Sequence, residues 1–166
     1  EIIKNSIRVQ ESFNKKESVG FVKTHNMLYN YKKKYPFTDL NNSLGTIYLV
    51  RDPRDVIISY AHHLGKSHED ILQVMLDPNS FELSELDGSF YKKSILGKWS
   101  DHYNSWRSYK EEEVLIVRYE DLVSNKRKEF LKIISYLSKI SNLEVDDKKL
   151  ESSIEKTTFD KLVKKE

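Results

Sequence analysis

Residues 46–60 constrain the fold more strongly than any other stretch of this sequence. Residues 46–50 are apolar or β-branched without polar alternation, which is typical of a strand buried on both faces of a parallel sheet. Asp52 can then cap a helix, Pro53 suits the first helical turn, and Asp55 places a carboxylate near the positive end of the helix dipole. Apolar residues continue at helical spacing: Val56, Ile57, Tyr60, Ala61 and Leu64. The stretch therefore predicts a strand, a tight turn and a helix.

Arg51 stands between this strand and this helix, at the carboxyl end of the strand. Ligands of open α/β sheets bind beside such strand ends. A guanidinium group suits a phosphate or a sulfate there, because its planar fork can hold two anionic oxygens at once. The position of Arg51 therefore indicates an anion site.

Composition limits the class of protein. The 166 residues suit one domain with a sizeable core, and a net charge of +2 is too small to indicate a nucleic-acid partner. No apolar run approaches the ~20 residues of a membrane span, so no membrane partner is expected. The absence of cysteine excludes disulfides and thiolate metal sites from this sequence and fits the cytoplasm. His62 and His63 are adjacent and point in different directions on a helix, so no metal site is predicted.

The hydrophobic pattern predicts an α/β fold, with a parallel sheet of at least three strands flanked by helices. The predicted strands are 18–22, 46–50 and 113–117. The predicted helices are a short one within 1–16, then 53–64, 67–76, 95–109, one beginning near Asn125 with a buried stripe of Phe130, Ile133, Ile134 and Leu137, and 146–156. Residues 81–94 are expected to form a loop, as are residues around Tyr35 and Pro36.

Each predicted strand ends on a cation: Lys23, Arg51 or Arg118. In a parallel sheet these three side chains would lie along one rim and attract a polyanion. The alternative interpretation is that these basic residues simply end strands where the chain meets water, and both interpretations stay open. His25 lies two residues after Lys23 and shares its face if the segment is extended. An imidazole there could take a proton from a hydroxyl, while the ammonium stabilises a departing oxygen.

Five segments, in order, resemble the soluble sulfotransferases that use 3'-phosphoadenosine 5'-phosphosulfate (PAPS). They are 21–25 (Phe-Val-Lys-Thr-His), 48–60 with its Arg-Asp-Pro-Arg-Asp-Val core and Ser59, 97–106, 117–122 and 156–159. The resemblance runs from Val19 to Phe159, and the Arg-Asp-Pro-Arg-Asp-Val segment is its most specific part. It implies the sulfotransferase variant of the P-loop-type α/β fold and transfer of a sulfuryl group in line from PAPS to a hydroxyl or amine.

The same resemblance implies the roles of individual residues. His25 would be the general base that deprotonates the acceptor, and Lys23 would stabilise the transferring sulfuryl group and the leaving phosphate. Arg51 and Ser59 would bind the 3'-phosphate of PAPS. Tyr119 would contact the adenine of PAPS, Thr158 would form a hydrogen bond near it, and Phe159 would stack on it.

Two family segments have no counterpart here. Nothing before Val19 resembles the phosphosulfate-binding loop, and no Arg-Lys-Gly segment occurs before Glu166. We therefore expect residues 1–166 to be a single sulfotransferase domain truncated at both ends. Its expected partners are a small-molecule acceptor and, as a homodimer, a second copy of the chain. The alternatives are a non-catalytic remnant or binding module of the same fold, and another P-loop-type enzyme such as a nucleotide kinase.

Overall fold

The computed structural model describes residues 2–14, 19–86, 90–109, 113–141 and 146–156. Within these ranges a 3₁₀ turn at Ile2–Asn5 precedes seven α-helices and six strands. The helices are α1 Ser6–Phe13, α2 Pro53–Leu64, α3 His68–Leu76, α4 Trp99–Arg107, α5 Tyr119–Ser124, α6 Lys126–Ser141 and α7 Asp147–Lys156. The strands are β1 Asn30–Tyr31, β2 Tyr35–Pro36, β3 Thr46–Val50, β4 Phe81–Leu86, β5 Phe90–Ile95 and β6 Val114–Arg118.

The parallel pair β3–β6 is the centre of the fold, as the apolar runs predict. Its register sets Thr46 opposite Val114 at one end and Val50 opposite Arg118 at the other. Helices flank the pair, so the predicted α/β class with a parallel sheet between helices is confirmed. The prediction that β3 is buried on both faces is only partly correct, because Leu49 is 62% exposed.

The helix after β3 begins as the sequence predicts. The Asp52 carboxylate accepts a hydrogen bond from the Arg54 backbone N–H at 2.9 Å, and Pro53 occupies the first turn. This cap satisfies one of the orphan N–H groups of the helix. Gly65 ends α2 at a φ of +61°, a left-handed conformation that glycine adopts without steric cost. The side chains of Ala61 on α2 and Ile71 on α3 are buried where these two helices pack together.

The predicted strand at 18–22 is wrong for the residues that are described there. Residues 19–29 contain no helix or strand, and Phe21 and Val22 are 70% and 76% exposed. An apolar extended segment becomes a strand only when a neighbouring backbone accepts and donates its hydrogen bonds. No described strand pairs with this segment, so the parallel sheet of the described residues has two strands where at least three were predicted.

The predicted loop at 81–94 is also wrong. Strands β4 and β5 form an antiparallel pair there, in which Phe81 opposes Ile95 and Leu86 opposes Phe90. Tyr35 and Pro36, also predicted as loop, form strand β2 and pair antiparallel with β1. Local turn chemistry suggested loops at both places, whereas backbone hydrogen bonding between neighbouring segments produced strands.

Tyr136 on α6 joins the amino ends of the two parallel strands. Its hydroxyl accepts a hydrogen bond from the Thr46 N–H at 2.9 Å and donates one to the Glu113 carbonyl at 2.7 Å. Gly45 leaves room for this hydroxyl, since a Cβ atom at Gly45 would overlap it and would lie 2.9 Å from the Ile140 side chain. The close approach of α6 to the sheet therefore requires glycine at this position.

We predict that Gly45→Ala lowers the free energy of unfolding by about 1–3 kcal/mol, because Tyr136 must move and its two hydrogen bonds weaken. Urea unfolding followed by circular dichroism measures the change. Gly20→Ala is the matched control, since no described atom lies within 4 Å of its added Cβ. Equal unfolding midpoints for the two variants would contradict the proposed close packing.

Candidate anion and acceptor site

The carboxyl ends of β3 and β6 form one rim, as a parallel pair requires. Arg118 is the last residue of β6 and lies opposite Val50, so Arg51 and Tyr119 are the next residues on each chain segment. Two of the three predicted strand-end cations therefore do lie on a common rim. Lys23 does not end a strand, and its side chain is exposed on the segment 19–29.

Arg51 and Tyr119, which the sequence assigns to one cofactor, are in contact. The Arg51 guanidinium carbon lies 4.6 Å from the centre of the Tyr119 ring, a cation–π arrangement. The Arg51 Nη2 atom lies 3.6 Å from a carboxylate oxygen of Asp55, and the Arg51 side chain is 35% exposed. Its Nε atom is buried and has no hydrogen-bond partner among the described residues. The guanidinium is thus positioned by a ring and a carboxylate while part of its donor capacity is unused.

Glu120 joins the two turns beneath this rim. Its carboxylate accepts a hydrogen bond from the Asp52 backbone N–H at 2.8 Å, and its other oxygen lies 3.7 Å from the Arg118 Nε atom. The hydrogen bond from Asp52 lowers the pKa of Glu120. Arg118, to which the sequence assigns no role, therefore supports the carboxylate that holds the β3–α2 turn. No sequence pattern predicts this role of Glu120, because its partner is the backbone of a residue 68 positions away.

Asp52 is fixed from a second direction by Arg54. The Arg54 Nε atom donates to the Asp52 carboxylate at 2.9 Å, and this side-chain hydrogen bond, with the backbone cap, lowers the pKa of Asp52 to about 2. Both groups are at the surface, so the charges themselves contribute little stability.

Ser59 lies on α2 one turn beyond Asp55, and its side chain is exposed. Residues four apart on a helix share a face, so Ser59 lies on the same side of α2 as the carboxylate that contacts Arg51. The predicted Thr158 and Phe159 lie outside the described residues.

His25 is exposed on the segment 19–29, and neighbouring elements hold its backbone. The Met27 N–H donates to the Ile95 carbonyl at 2.8 Å, and the Ile95 N–H donates to the Asn26 side chain at 2.8 Å. The Trp106 indole on α4 donates to the Asn26 carbonyl at 3.0 Å. Residues 25–27 of this segment are therefore positioned by side chains and by the end of β5 instead of a sheet ladder.

His102 on α4 also contacts this segment, although its sequence suggests an ordinary polar surface residue. Its Nε2 atom lies 3.2 Å from the His25 carbonyl oxygen, and its Nδ1 atom lies 2.9 Å from the Tyr48 hydroxyl. Burial lowers the pKa of His102 and raises the pKa of Tyr48 to about 12. The helical spacing of His102, Ser105 and Trp106 is the one sequence signal for a shared face on α4.

In the described ranges, histidine and acidic side chains form no cluster of three or more that could hold a metal ion. Within the same ranges, every helix is too short or too polar to cross a bilayer.

Two solved structures have the same fold. Mouse sulfotransferase SULT7A1 complexed with PAP matches with a TM-score of 0.53 and 23% identity over 71% of this chain and 40% of that chain. Retinol dehydratase in complex with androsterone and the inactive cofactor PAP matches with a TM-score of 0.60 and 19% identity over 96% of this chain and 48% of that chain. The chain thus has the sulfotransferase fold.

Sequence similarity also identifies the family to which the chain belongs. The sulfotransferase domain matches residues 2–166, and the chain belongs to the sulfotransferase family. It is 31% identical over 135 residues to mouse sulfotransferase 1E1, covering 80% of this chain and 42% of the relative. It is 33% identical over 140 residues to dog sulfotransferase 1B1, covering 83% of this chain and 44% of the relative. The chain therefore spans less than half the length of these curated relatives.

The lowered pKa of Asp52 predicts an acid-sensitive turn. Because the folded value of about 2 lies below the ordinary value of 3.8, the charged carboxylate stabilises the folded state fully above pH 3.8, and this contribution is lost as the pH falls towards 2. We expect Asp52→Asn, which keeps an oxygen for the cap, to show a smaller loss of unfolding free energy between about pH 4 and pH 2. Urea titrations across this range measure it.

Asp101→Asn on the exposed face of α4 is the control, and its acid profile should match that of the unchanged protein. Identical profiles for Asp52→Asn and the unchanged protein would show that the Asp52–Arg54 bond does not stabilise the fold.

Proposed function

We propose that this protein is a sulfotransferase that transfers a sulfuryl group from PAPS to a hydroxyl or amine of a small-molecule acceptor. Membership in the sulfotransferase family supports this reaction class. Two relatives of the same fold were solved with PAP, and one of them also held androsterone, a small molecule. The contact between Arg51 and Tyr119 is the observation that carries the proposal.

The residues at the rim fit the proposed donor. The Arg51 side chain is 35% exposed, which leaves part of its guanidinium accessible to a phosphate. Tyr119 is 40% exposed and offers a ring to a base, and the Ser59 hydroxyl lies on the face of α2 that carries Asp55. A bound 3'-phosphate would share Arg51 with the Asp55 carboxylate 3.6 Å away.

Bound PAPS supplies the sulfuryl group. In the proposed reaction His25 takes the proton from the acceptor oxygen or nitrogen, and the Lys23 ammonium stabilises negative charge that grows on the departing oxygen. The exposure of both side chains leaves them accessible to an acceptor. Thr158 and Phe159 remain proposed adenine contacts. We place the protein in the cytoplasm, in keeping with a sequence that contains no cysteine.

We predict that Arg51→Ala weakens binding of adenosine 3',5'-bisphosphate about 10- to 100-fold, because a charge-assisted hydrogen bond contributes about 1.5–3 kcal/mol. Isothermal titration calorimetry of the protein expressed from its complete gene measures this affinity. Arg127→Ala is the matched control, since Arg127 also forms an ion pair, at 2.8 Å with Glu151, but lies on α6. Absence of binding by the unchanged protein, or equal affinity for Arg51→Ala, would reject the assignment.

His25→Ala is expected to lower turnover about 100- to 10,000-fold, the usual contribution of a positioned general base. Formation of adenosine 3',5'-bisphosphate from PAPS, with a panel of phenols, alcohols and amines, measures it. Nucleotide affinity should not change, and the exposed His63→Ala on α2 should retain full turnover. Nucleotide binding without turnover on any acceptor would instead identify a non-catalytic binding module.

A further inference from the structure

Helix α4 contacts residues 25–28 through three hydrogen bonds. The His102 Nε2 atom lies 3.2 Å from the His25 carbonyl, the Trp106 indole donates to the next carbonyl at 3.0 Å, and the Leu28 N–H donates to the Ser105 hydroxyl at 3.0 Å. Ser105 and Trp106 follow His102 by three and four residues, so both lie on the face of α4 that carries His102. This face replaces the missing sheet ladder along the segment that carries the proposed base.

The hydrogen bonds of His102 define its tautomer. A carbonyl oxygen can only accept, so the Nε2 atom that faces the His25 carbonyl carries the proton. The Nδ1 atom of a neutral imidazole then accepts, and the Tyr48 hydroxyl donates to it at 2.9 Å. The resulting chain runs from the Tyr48 hydroxyl through the His102 ring to the His25 backbone. Through His102 it links the central strand β3 to the backbone of the proposed base.

Rigid packing surrounds the Tyr48 end of this chain. The Tyr48 ring lies 5.7 Å from the His102 ring, 6.1 Å from the Tyr103 ring and 6.4 Å from the Trp106 ring, measured between centroids. Trp106 itself is 3% exposed. Tyr48 is therefore held by aromatic neighbours, whereas His25 is exposed on a segment without regular structure.

We propose that His102 is a positioning residue that transmits the rigid placement of Tyr48 to the His25 backbone and so holds the imidazole of His25 for proton abstraction. This inference rests on the proposed function of His25 as general base. His102 acts through His25 and not on the acceptor. Small displacements of a catalytic group slow a reaction steeply, so an effect on turnover follows even where the fold survives.

The test compares variants of the protein expressed from its complete gene, with PAPS as donor and the best acceptor of the panel. His102→Ala should lower kcat about 10- to 100-fold while the KM for PAPS and the affinity for adenosine 3',5'-bisphosphate stay within about twofold. His102→Gln, whose amide N–H can reach the His25 carbonyl, should recover part of kcat. Tyr48→Phe, which removes the donor to Nδ1, should lower kcat in the same direction by a smaller factor.

The double variant decides between positioning and direct action. In a His25→Ala background, His102→Ala should cause no further loss of kcat, because two residues that act as one unit are non-additive. Additive losses would overturn the inference by showing that His102 acts on the acceptor independently. A loss of nucleotide affinity parallel to the loss of kcat, without recovery by His102→Gln, would overturn it by showing a structural role alone.

Failure of this inference differs from failure of the proposed function. If His25→Ala lowers turnover and His102→Ala does not, the general base stands and the positioning role is wrong. If His25→Ala leaves turnover unchanged, the general base is wrong, and the positioning role falls with it.

Discussion

The parallel pairing of β3 with β6 is the interaction on which the rest of the rim depends. Its register places Val50 opposite Arg118, so the two turns that follow the strands begin side by side. Only in this register can the Glu120 carboxylate reach the Asp52 N–H and the Arg51 guanidinium lie over the Tyr119 ring. A slip of one residue would turn every side chain of one strand to the opposite face and separate these groups.

The opposite end of the same pair is secured by Tyr136, whose single hydroxyl bonds to the backbone next to both strands. Thus α6 fixes the amino ends of the strands while Glu120 joins the turns at the carboxyl ends. These side-chain hydrogen bonds add to the five-residue ladder between the strands, in which Val117 is 1% exposed.

The proposed base is held by a different kind of contact. Residues 19–29 form no strand, and hydrogen bonds from α4 and from the end of β5 place residues 25–28. The rim and the segment that carries His25 are therefore held by different contacts. Tyr48 connects them, because it belongs to β3 and bonds to His102.

Local signals predicted the elements whose formation is decided by neighbours in sequence. The Asp52 cap, the Pro53 first turn and the helix that follows Ser67 all occur as the sequence predicts, and the structure adds a capping box between Ser67 and Asp70. The antiparallel pair β4–β5 was missed, although Phe81 and Leu83 alternate with polar residues, as in a strand with one apolar face. The apolar segment before Lys23 was overestimated, because an extended pattern does not show whether a partner strand is adjacent.

The sequence by itself determined the strand–turn–helix around Arg51, the parallel class of the sheet and the family to which the chain belongs, because these depend on short-range periodicity, caps and contiguous motifs. Only the tertiary structure decided that Arg51 lies on Tyr119, that Glu120 secures the Asp52 turn and that His102 bonds to the His25 backbone. Each of these contacts joins residues 68 to 77 positions apart, as for Glu120 and His102, and depends on strand register and on the face that a helix turns inward. Those distances in space are set by packing, which no local pattern encodes.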